Sequence, residues 1–579
     1  MTKSDRRPGL GWQRLVAVLA IVSGCHRGST ETQSQAVSGR TVSTATESPA
    51  VSSPARISFL DQTERSQVAF TYQNDSEHSG FAILESLGGG VAIIDYDEDG
   101  KPDLVFTGGG AFDTRQTRGL PGALFRNRGD WRFENVTSAS GVGRSGHYSH
   151  GAIAADFNED GFDDVLITGY GGLSLFRNCG DGTFGEVTRD AELSDQLWSS
   201  SAAWGDFNGD GSLDLFVAHY VDWTFDKDPF CPGPPGHSRE VCPPRQFDGL
   251  PDVLYFGNGD GTFRIAPGET GLAADGKGLG VVAADIDLDS DLDLYVANDT
   301  VGNFLYRNDG HGRFEDISLV SGTGLSADGT PDGSMGTDIS DFNGDGLPDI
   351  WVANYERENN ALYRNLGMGL FRHVSQSVGI AAVGSRFVGW GTRFLDVDLD
   401  GDEDLIVANG HVIRFPVNSP RRQSPLLLEN SGGARFINVS NEVGAYFSSA
   451  HEGRGLATGD LDADGDEDVV ISNLNEPVAV LSNETRQGNS WLMIRLVGRQ
   501  SVRSSIGAVV VARMGDRSLT RQIRGGSSYA STSSKVLNLG CGNAAIIDEL
   551  TVQWNSGARW SLQKIKTNQL ITVIEPGHE

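Results

Sequence analysis

A nine-residue acidic pattern, D-x-[DN]-x-D-G-x-x-D, recurs seven times along this chain and constrains its fold more than any other feature. The copies are DYDEDGKPD from Asp95, DFNEDGFDD from Asp156, DFNGDGSLD from Asp206, DIDLDSDLD from Asp285, DFNGDGLPD from Asp341, DVDLDGDED from Asp396 and DLDADGDED from Asp460. They are separated by 61, 50, 79, 56, 55 and 64 residues. The 79-residue step implies an insertion of about 25 residues in an otherwise regular array. Chance does not place seven such copies in one chain.

Short apolar runs flank every copy. GGGVAIIDYD, HGAIAADFN and LGVVAADID come before, and DLVFTGG, DVLITGY and DLYVAND come after. Rich in Val, Ile, Leu and aromatics, they read as strands, with the acidic nonapeptide as the connecting loop. A second signature follows, as in ALFRNRGDWRFENVT and FLYRNDGHGRFEDIS, where a strand, an Asn/Gly/Asp turn and another strand make a hairpin. Each unit therefore holds about four strands, the content of one propeller blade. The seventh unit lacks the last strand, and a matching piece, Ser58 to Thr63, stands before the first unit. Six whole units plus one split between the ends predict a closed all-β, seven-bladed β-propeller over residues 58–486, whose N-terminal strand removes an exposed edge.

The loop chemistry points to calcium. Side-chain oxygens at loop positions 1, 3, 5 and 9 can surround a hard cation, with a carbonyl at position 7 and a water completing the shell. The candidate ligands are Asp95, Asp97, Asp99 and Asp103 in the first loop, then Asp156, Asn158, Asp160 and Asp164 in the second. The third and fourth loops offer Asp206, Asn208, Asp210 and Asp214, and Asp285, Asp287, Asp289 and Asp293. The fifth offers Asp341, Asn343, Asp345 and Asp349, the sixth Asp396, Asp398, Asp400 and Asp404, and the seventh Asp460, Asp462, Asp464 and Asp468. Up to seven structural Ca²⁺ ions are expected. The flanks are strands and the position-12 Glu is missing, so these are not EF-hands. Glycine at position 6 allows a sharp turn, but Ser290 replaces it in the fourth loop, which is expected to deviate first.

The repeat resembles the FG-GAP/VCBS repeats of integrin α-chain propellers and of bacterial surface proteins. Residues 487–579 differ. Their Asn489–Gly498, Ser505–Arg513, Arg521–Ser527 and Val552–Trp560 segments are similar to the ASPIC/UnbV domain of the cartilage acidic protein-like family. Alternating apolar runs there also predict a small β-domain. The resemblance implies extracellular calcium binding and an interaction role, without a defined reaction.

Residues 1–24 carry Lys3, Arg6, Arg7 and Arg14, then a short apolar run from Leu15 to Val22, the features of an export signal too short to span a membrane. Val22-Ser23-Gly24-Cys25 resembles a bacterial lipobox, with Cys25 as the lipidated residue; the alternatives are a plain secretory or a twin-arginine signal. Residues 25–57 are Ser/Thr-rich and read as a disordered tether. Cys231 and Cys242 bracket CPGPPGHSREVC, which suits a disulfide-closed loop in an oxidising compartment or, alternatively, a metal pair.

The formal charge is 46 − 77 = −31, which argues against nucleic-acid binding. Of the 28 ligand positions 25 are Asp, so about a third of the 77 acidic residues belong to the loops. The expectation is a cell-surface binding or adhesion scaffold, held to the membrane only by its lipid, whose partner is an unidentified protein or glycan. The alternatives are an exported enzyme acting on a glycan or phosphoester polymer, with no catalytic residues assignable, and an assembly partner for another envelope protein.

Overall fold

The computed structural model describes residues 57–76, 80–144, 146–485 and 488–577. The expected signal segment, Cys25 and nearly all of the tether lie outside the described residues. Seven four-stranded antiparallel sheets follow one another along the chain. The innermost strand of each blade is rich in small residues and is buried throughout, as in Tyr148–Ala155 and Ser199–Gly205. The outermost strand is only three residues long. In Phe133–Asn135 and Phe314–Asp316 it buries the Phe and exposes the two polar residues, which blunts the sheet edge. Innermost strands touch in a cycle, which closes where Val91–Ile94 meets Gly453–Gly459.

The seventh blade is built from both ends of the propeller. Phe59–Asp61 pairs antiparallel with Ala479–Asn483, with Phe59 opposite Asn483 and Asp61 opposite Leu481. Two features interrupt the regular plan. The first blade carries an extra hairpin, Gly110–Asp113 with Gln116–Gly119, which the repeat pattern does not announce. The third blade carries the long insertion between Asp214–His219 and Val253–Gly257, and within it Cys231 and Cys242 form a disulfide with Cα atoms 5.3 Å apart.

A side-chain latch ties six of the seven blades to the one before it. The Asn that ends the third strand is buried, and its Nδ2 donates to the carbonyl of loop position 2 in the preceding blade. Asn178 reaches Tyr96 at 2.8 Å, Asn308 reaches Phe207 at 2.9 Å, Asn365 reaches Ile286 at 3.0 Å and Asn430 reaches Phe342 at 2.9 Å. Asn483 reaches Val397 at 2.9 Å, and Asn127 closes the circle on Leu461 at 2.8 Å. The third blade has Gly257 in this place, where a Cβ would meet the Leu213 carbonyl oxygen at 2.3 Å. There the seam is filled by aromatics instead, with Phe157 5.8 Å from Phe263 and 6.5 Å from Trp204 between ring centroids.

The C-terminal domain is a pair of sheets. One contains Leu537–Gly542, Ser490–Val497 and Gln569–Ile574, the last two parallel. The other orders Arg517–Gln522, Val509–Met514, Ile546–Gln553 and Arg559–Lys566. Its core is continuous with that of the second to fourth blades.

From this domain the segment Gly525–Ser534 enters the propeller channel and bonds to all seven inner strands. Thr532 N donates to Val91 O, Ala152 N to Ala530 O, Trp204 N to Gly525 O and Gly525 N to Ala283 O. Thr337 exchanges two backbone hydrogen bonds with Ser528, Thr392 N donates to Ser528 Oγ, and Thr458 N to Ser533 Oγ. The channel explains the composition GGSSYASTSS. A Cβ on Gly525 would lie 1.6 Å from the Trp204 carbonyl oxygen, and one on Gly90 1.6 Å from that of Ala530. The plug's one large side chain, Tyr529, is fully buried against Trp390 at 4.7 Å between ring centroids.

Candidate metal centre

Each acidic loop joins the first and second strands of a blade, so all seven lie on the same propeller face. The turn is built from two left-handed residues. Position 6 has positive φ in every copy, from 81° at Ser290 to 103° at Gly161. Ser290 therefore takes the glycine conformation despite its Cβ. Its Oγ accepts a hydrogen bond from Gln553 Nε2 at 3.0 Å. Position 4 is also left-handed, at Glu98, Glu159, Gly209, Leu288, Gly344, Leu399 and Ala463, a requirement that the sequence pattern hides because it shows no shared residue type there.

The two ends of each nonapeptide have fixed structural duties. One carboxylate oxygen of the first Asp accepts from the backbone N of position 6, as in Asp156 with Gly161 at 2.8 Å and Asp396 with Gly401 at 2.7 Å. The ninth Asp accepts from two backbone amides, one at loop position 2 and one at the end of the third strand. Asp164 takes Phe157 N at 3.0 Å and Asn178 N at 2.7 Å, and Asp468 takes Leu461 N at 2.8 Å and Asn483 N at 2.9 Å. The ninth residue is thus first a brace between loop and hairpin, and any cation would share it with those donors.

The remaining loop carboxylates crowd one another. Oxygens of Asp95, Asp97 and Asp99 come within 4.8 Å of one another, as do those of Asp285, Asp287 and Asp289, of Asp396, Asp398 and Asp404, and of Asp460, Asp462 and Asp464. The second, third and fifth loops hold an Asn at position 3, which lowers ligand charge while keeping an oxygen. Buried oxygens of Asp95, Asp97, Asp285, Asp287, Asp396 and Asp462 accept no hydrogen bond among the described residues. Burial is the main cause that raises the carboxyls of Asp285 and Asp460 to about 7, and neighbouring loop aspartates push the same way. Burial likewise brings Asp103, Asp164, Asp214 and Asp349 to about 8. Crowded, dehydrated carboxylates with orphaned oxygens are the donor set a hard divalent cation relieves. Arginines relieve part of it: Arg126 lies 2.5 Å from Asp97, and Arg364 lies 2.8 Å from Asp345.

The C-terminal domain sits on this same face. Arg517 bonds the Asp400 carbonyl and lies 2.5 Å from Asp402, Gln522 Nε2 donates to Asp285 O at 2.9 Å, and Asn538 Nδ2 donates to Gly465 O at 3.0 Å. Arg495 and Arg503 approach Asp95 and Asp156 at 3.7 and 3.6 Å. Glycine at position 6 gains a second role here, because a Cβ on Gly465 would meet the Trp491 ring at 1.8 Å.

Other groupings of reactive side chains are structural. Asp195 Oδ2 accepts from Ser199 Oγ at 2.6 Å and meets His219 Nε2 at 2.9 Å, with both ionisable side chains sealed from solvent. His150 is fully buried, with Nδ1 3.0 Å from the Gly88 carbonyl oxygen. Arg128-Gly129-Asp130 lies in the hairpin turn of the first blade.

Blade topology and loop pattern define an FG-GAP-repeat β-propeller with a C-terminal ASPIC/UnbV domain. Family models agree: the FG-GAP-like repeat matches residues 95–167, 156–217 and 341–407, the FG-GAP repeat matches 453–493, and ASPIC and UnbV matches 498–579. Among curated proteins the chain is similar to cartilage acidic protein 1 of Mus musculus, 23% identical over 514 residues, covering 84% of this chain and 73% of the relative. The Homo sapiens protein of that name is also 23% identical, covering 84% of this chain and 71% of the relative. Among solved structures, rhamnogalacturonan lyase YesW aligns with a TM-score of 0.37 at 12% identity, over 75% of this chain and 76% of its own. The Bacillus licheniformis rhamnogalacturonan lyase PL11 aligns with a TM-score of 0.36 at 12% identity, over 69% of this chain and 72% of its own.

Proposed function

We propose that this protein is an exported, lipid-anchored binding scaffold whose propeller is held in shape by calcium. The observation that carries the calcium reading is the set of orphaned, buried carboxylate oxygens in loops of one repeating geometry. Asp and Asn oxygens, with no His or Cys among the candidate ligands, favour calcium over a transition metal. Bound Ca²⁺ would neutralise the carboxylates that crowd each loop and would steady the loops on which the C-terminal domain rests. The export reading is supported by the N-terminal signal pattern and by the Cys231–Cys242 disulfide, a bond typical of oxidising compartments. With the calcium-loop face partly covered, the scaffold's free surface is the opposite face, where the long insertion departs from the repeat.

The test is thermal unfolding in calcium and in EGTA. Binding to the folded state adds RT ln(1 + [L]/Kd) per site, about 1.4 kcal/mol at ten times Kd. Four to seven sites together give about 6–10 kcal/mol, which for a chain of this size predicts a melting temperature about 5–9 °C lower in EGTA. An unchanged melting temperature would refute the calcium reading.

A further inference from the structure

On the propeller face remote from the acidic loops, near the axis, lies a cavity of about 200 Å³. Its floor and walls are apolar, formed chiefly by Met335, Tyr355, Trp390, Val412 and the Cys242 end of the disulfide loop. One wall is different. Asp299 and Glu358 line it from the loops that follow the second strands of the fourth and fifth blades. The Tyr220 hydroxyl donates to Asp299 Oδ2 at 2.6 Å, and the Gly333 amide donates to Glu358 Oε2 at 2.7 Å, so both carboxylates are held in place. Thr300 Oγ1, on the same wall, is buried without a hydrogen-bond partner.

The charges around this wall are Asp299, Glu358 and nearby Asp332 against Lys277 and Arg245. Lys277 is buried and donates to the Pro244 carbonyl, and Arg245 stands exposed at the rim. Acids therefore outnumber bases inside a concave, mostly dehydrated site on a chain of net charge −31. Burial raises Asp299 to about 6 and Asp332 to about 7, the mark of carboxylates short of counter-charge.

We propose that this cavity binds a small organic ammonium ion, with its apolar body against Met335, Tyr355 and Trp390 and its protonated amine between Asp299 and Glu358. Apolar walls with a few convergent polar groups are the usual make-up of a small-molecule site. Two carboxylates anchored on one wall favour a cation over an anion of the same shape. The disulfide holds the roof, since Val241 and Cys242 line the cavity beside Pro243 and Pro244. This inference rests on the reading of the propeller as a binding scaffold and gives that scaffold a ligand class.

Isothermal titration of the detergent-solubilised full chain in saturating calcium tests it, with 2-phenylethylamine and 3-phenylpropanoate as matched probes. The amine is expected to bind and the carboxylate not to. Asp299→Asn and Glu358→Gln should each weaken amine binding by about tenfold or more, and Val412→Trp should block it by filling the cavity. Near-UV circular dichroism identifies any variant that fails to fold, and either charge variant suffices if the other is lost. Equal binding of both probes, no amine binding by the native chain, or unchanged affinity in the folded charge variants would overturn the proposal. Melting in EGTA reads the calcium scaffold separately: amine binding beside a calcium-independent melting temperature would refute the staple and leave the cavity standing.

Discussion

Replacing one latch asparagine should cost far more than its exposed neighbours suggest. Asn430 is 3% exposed. Its Nδ2 donates to Phe342 O across the seam at 2.9 Å and to Glu403 O within its own blade at 3.0 Å, while Oδ1 accepts from Gly433 N at 3.0 Å. Asn430→Ala removes three hydrogen bonds and strands two carbonyls and an amide where water has little access. At about 1 kcal/mol for each bond the loss is about 3 kcal/mol, more if the stranded groups stay dry. Asn430→Asp keeps the acceptor but turns a carboxylate toward two carbonyls, so it should lose more than the alanine variant. The control is Asn258→Ala in the unlatched third blade, where the side chain makes two exposed bonds, donating to Thr262 Oγ1 at 2.9 Å and accepting from Arg264. That change should stay within about 0.5 kcal/mol. Urea unfolding in saturating calcium, followed by tryptophan fluorescence, measures all three. Equal midpoints for Asn430→Ala and Asn258→Ala would refute the argument that the blades are latched by these side chains.

Three further outcomes are expected. Burial lowers the pKa of His150 from 6.5 to about 4. Between those values the unfolded chain binds a proton that the folded chain refuses, so stability is full above pH 6.5 and falls by about 3 kcal/mol as pH drops to 4. His150→Asn, which keeps a neutral donor near Gly88 O, should flatten that acid limb in urea titrations at several pH values, and an unaltered slope would contradict the assignment. Ser290→Gly relieves the left-handed turn at the expense of the bond to Gln553. Its fourth loop should bind calcium at least as tightly as before, and a clear loss of affinity by titration would show that the interdomain bond matters more than the strain. Cys231→Ser with Cys242→Ser should lower stability by about 3 kcal/mol through the freed loop, read as a urea midpoint shift.

The repeated parts of this molecule are legible in the sequence because each is stated seven times. The acidic loops, the hairpin signature and the split seventh blade follow from residues that are close in sequence. Even Ser290 announces its strain, since only one residue type suits the turn it occupies. The latch is half legible: the Asn of each hairpin recurs, but its acceptor sits in another blade, about 80 to 100 residues earlier in cases such as Asn178, Asn308 and Asn430. The channel plug is not legible. Gly525–Ser534 has the composition of a flexible linker, and its small side chains gain meaning only once seven inner strands surround them. The ammonium cavity is hidden for the same reason, because Asp299, Glu358, Trp390 and Val412 come from three blades and meet only when the ring closes.

The plug also sets an order of events. The ring needs Phe59 from one end and Asn483 from the other, yet its inner strands still carry amides and carbonyls that find partners only in Gly525–Ser534. A nascent chain can therefore lay down every blade and remain unfinished until Gly525–Ser534 arrives. Any copy cut short before Gly525 leaves that polar inner wall without its mate, in the condition that proteases recognise. The segment that fills the channel thus couples completion of the propeller to synthesis of the domain that follows it.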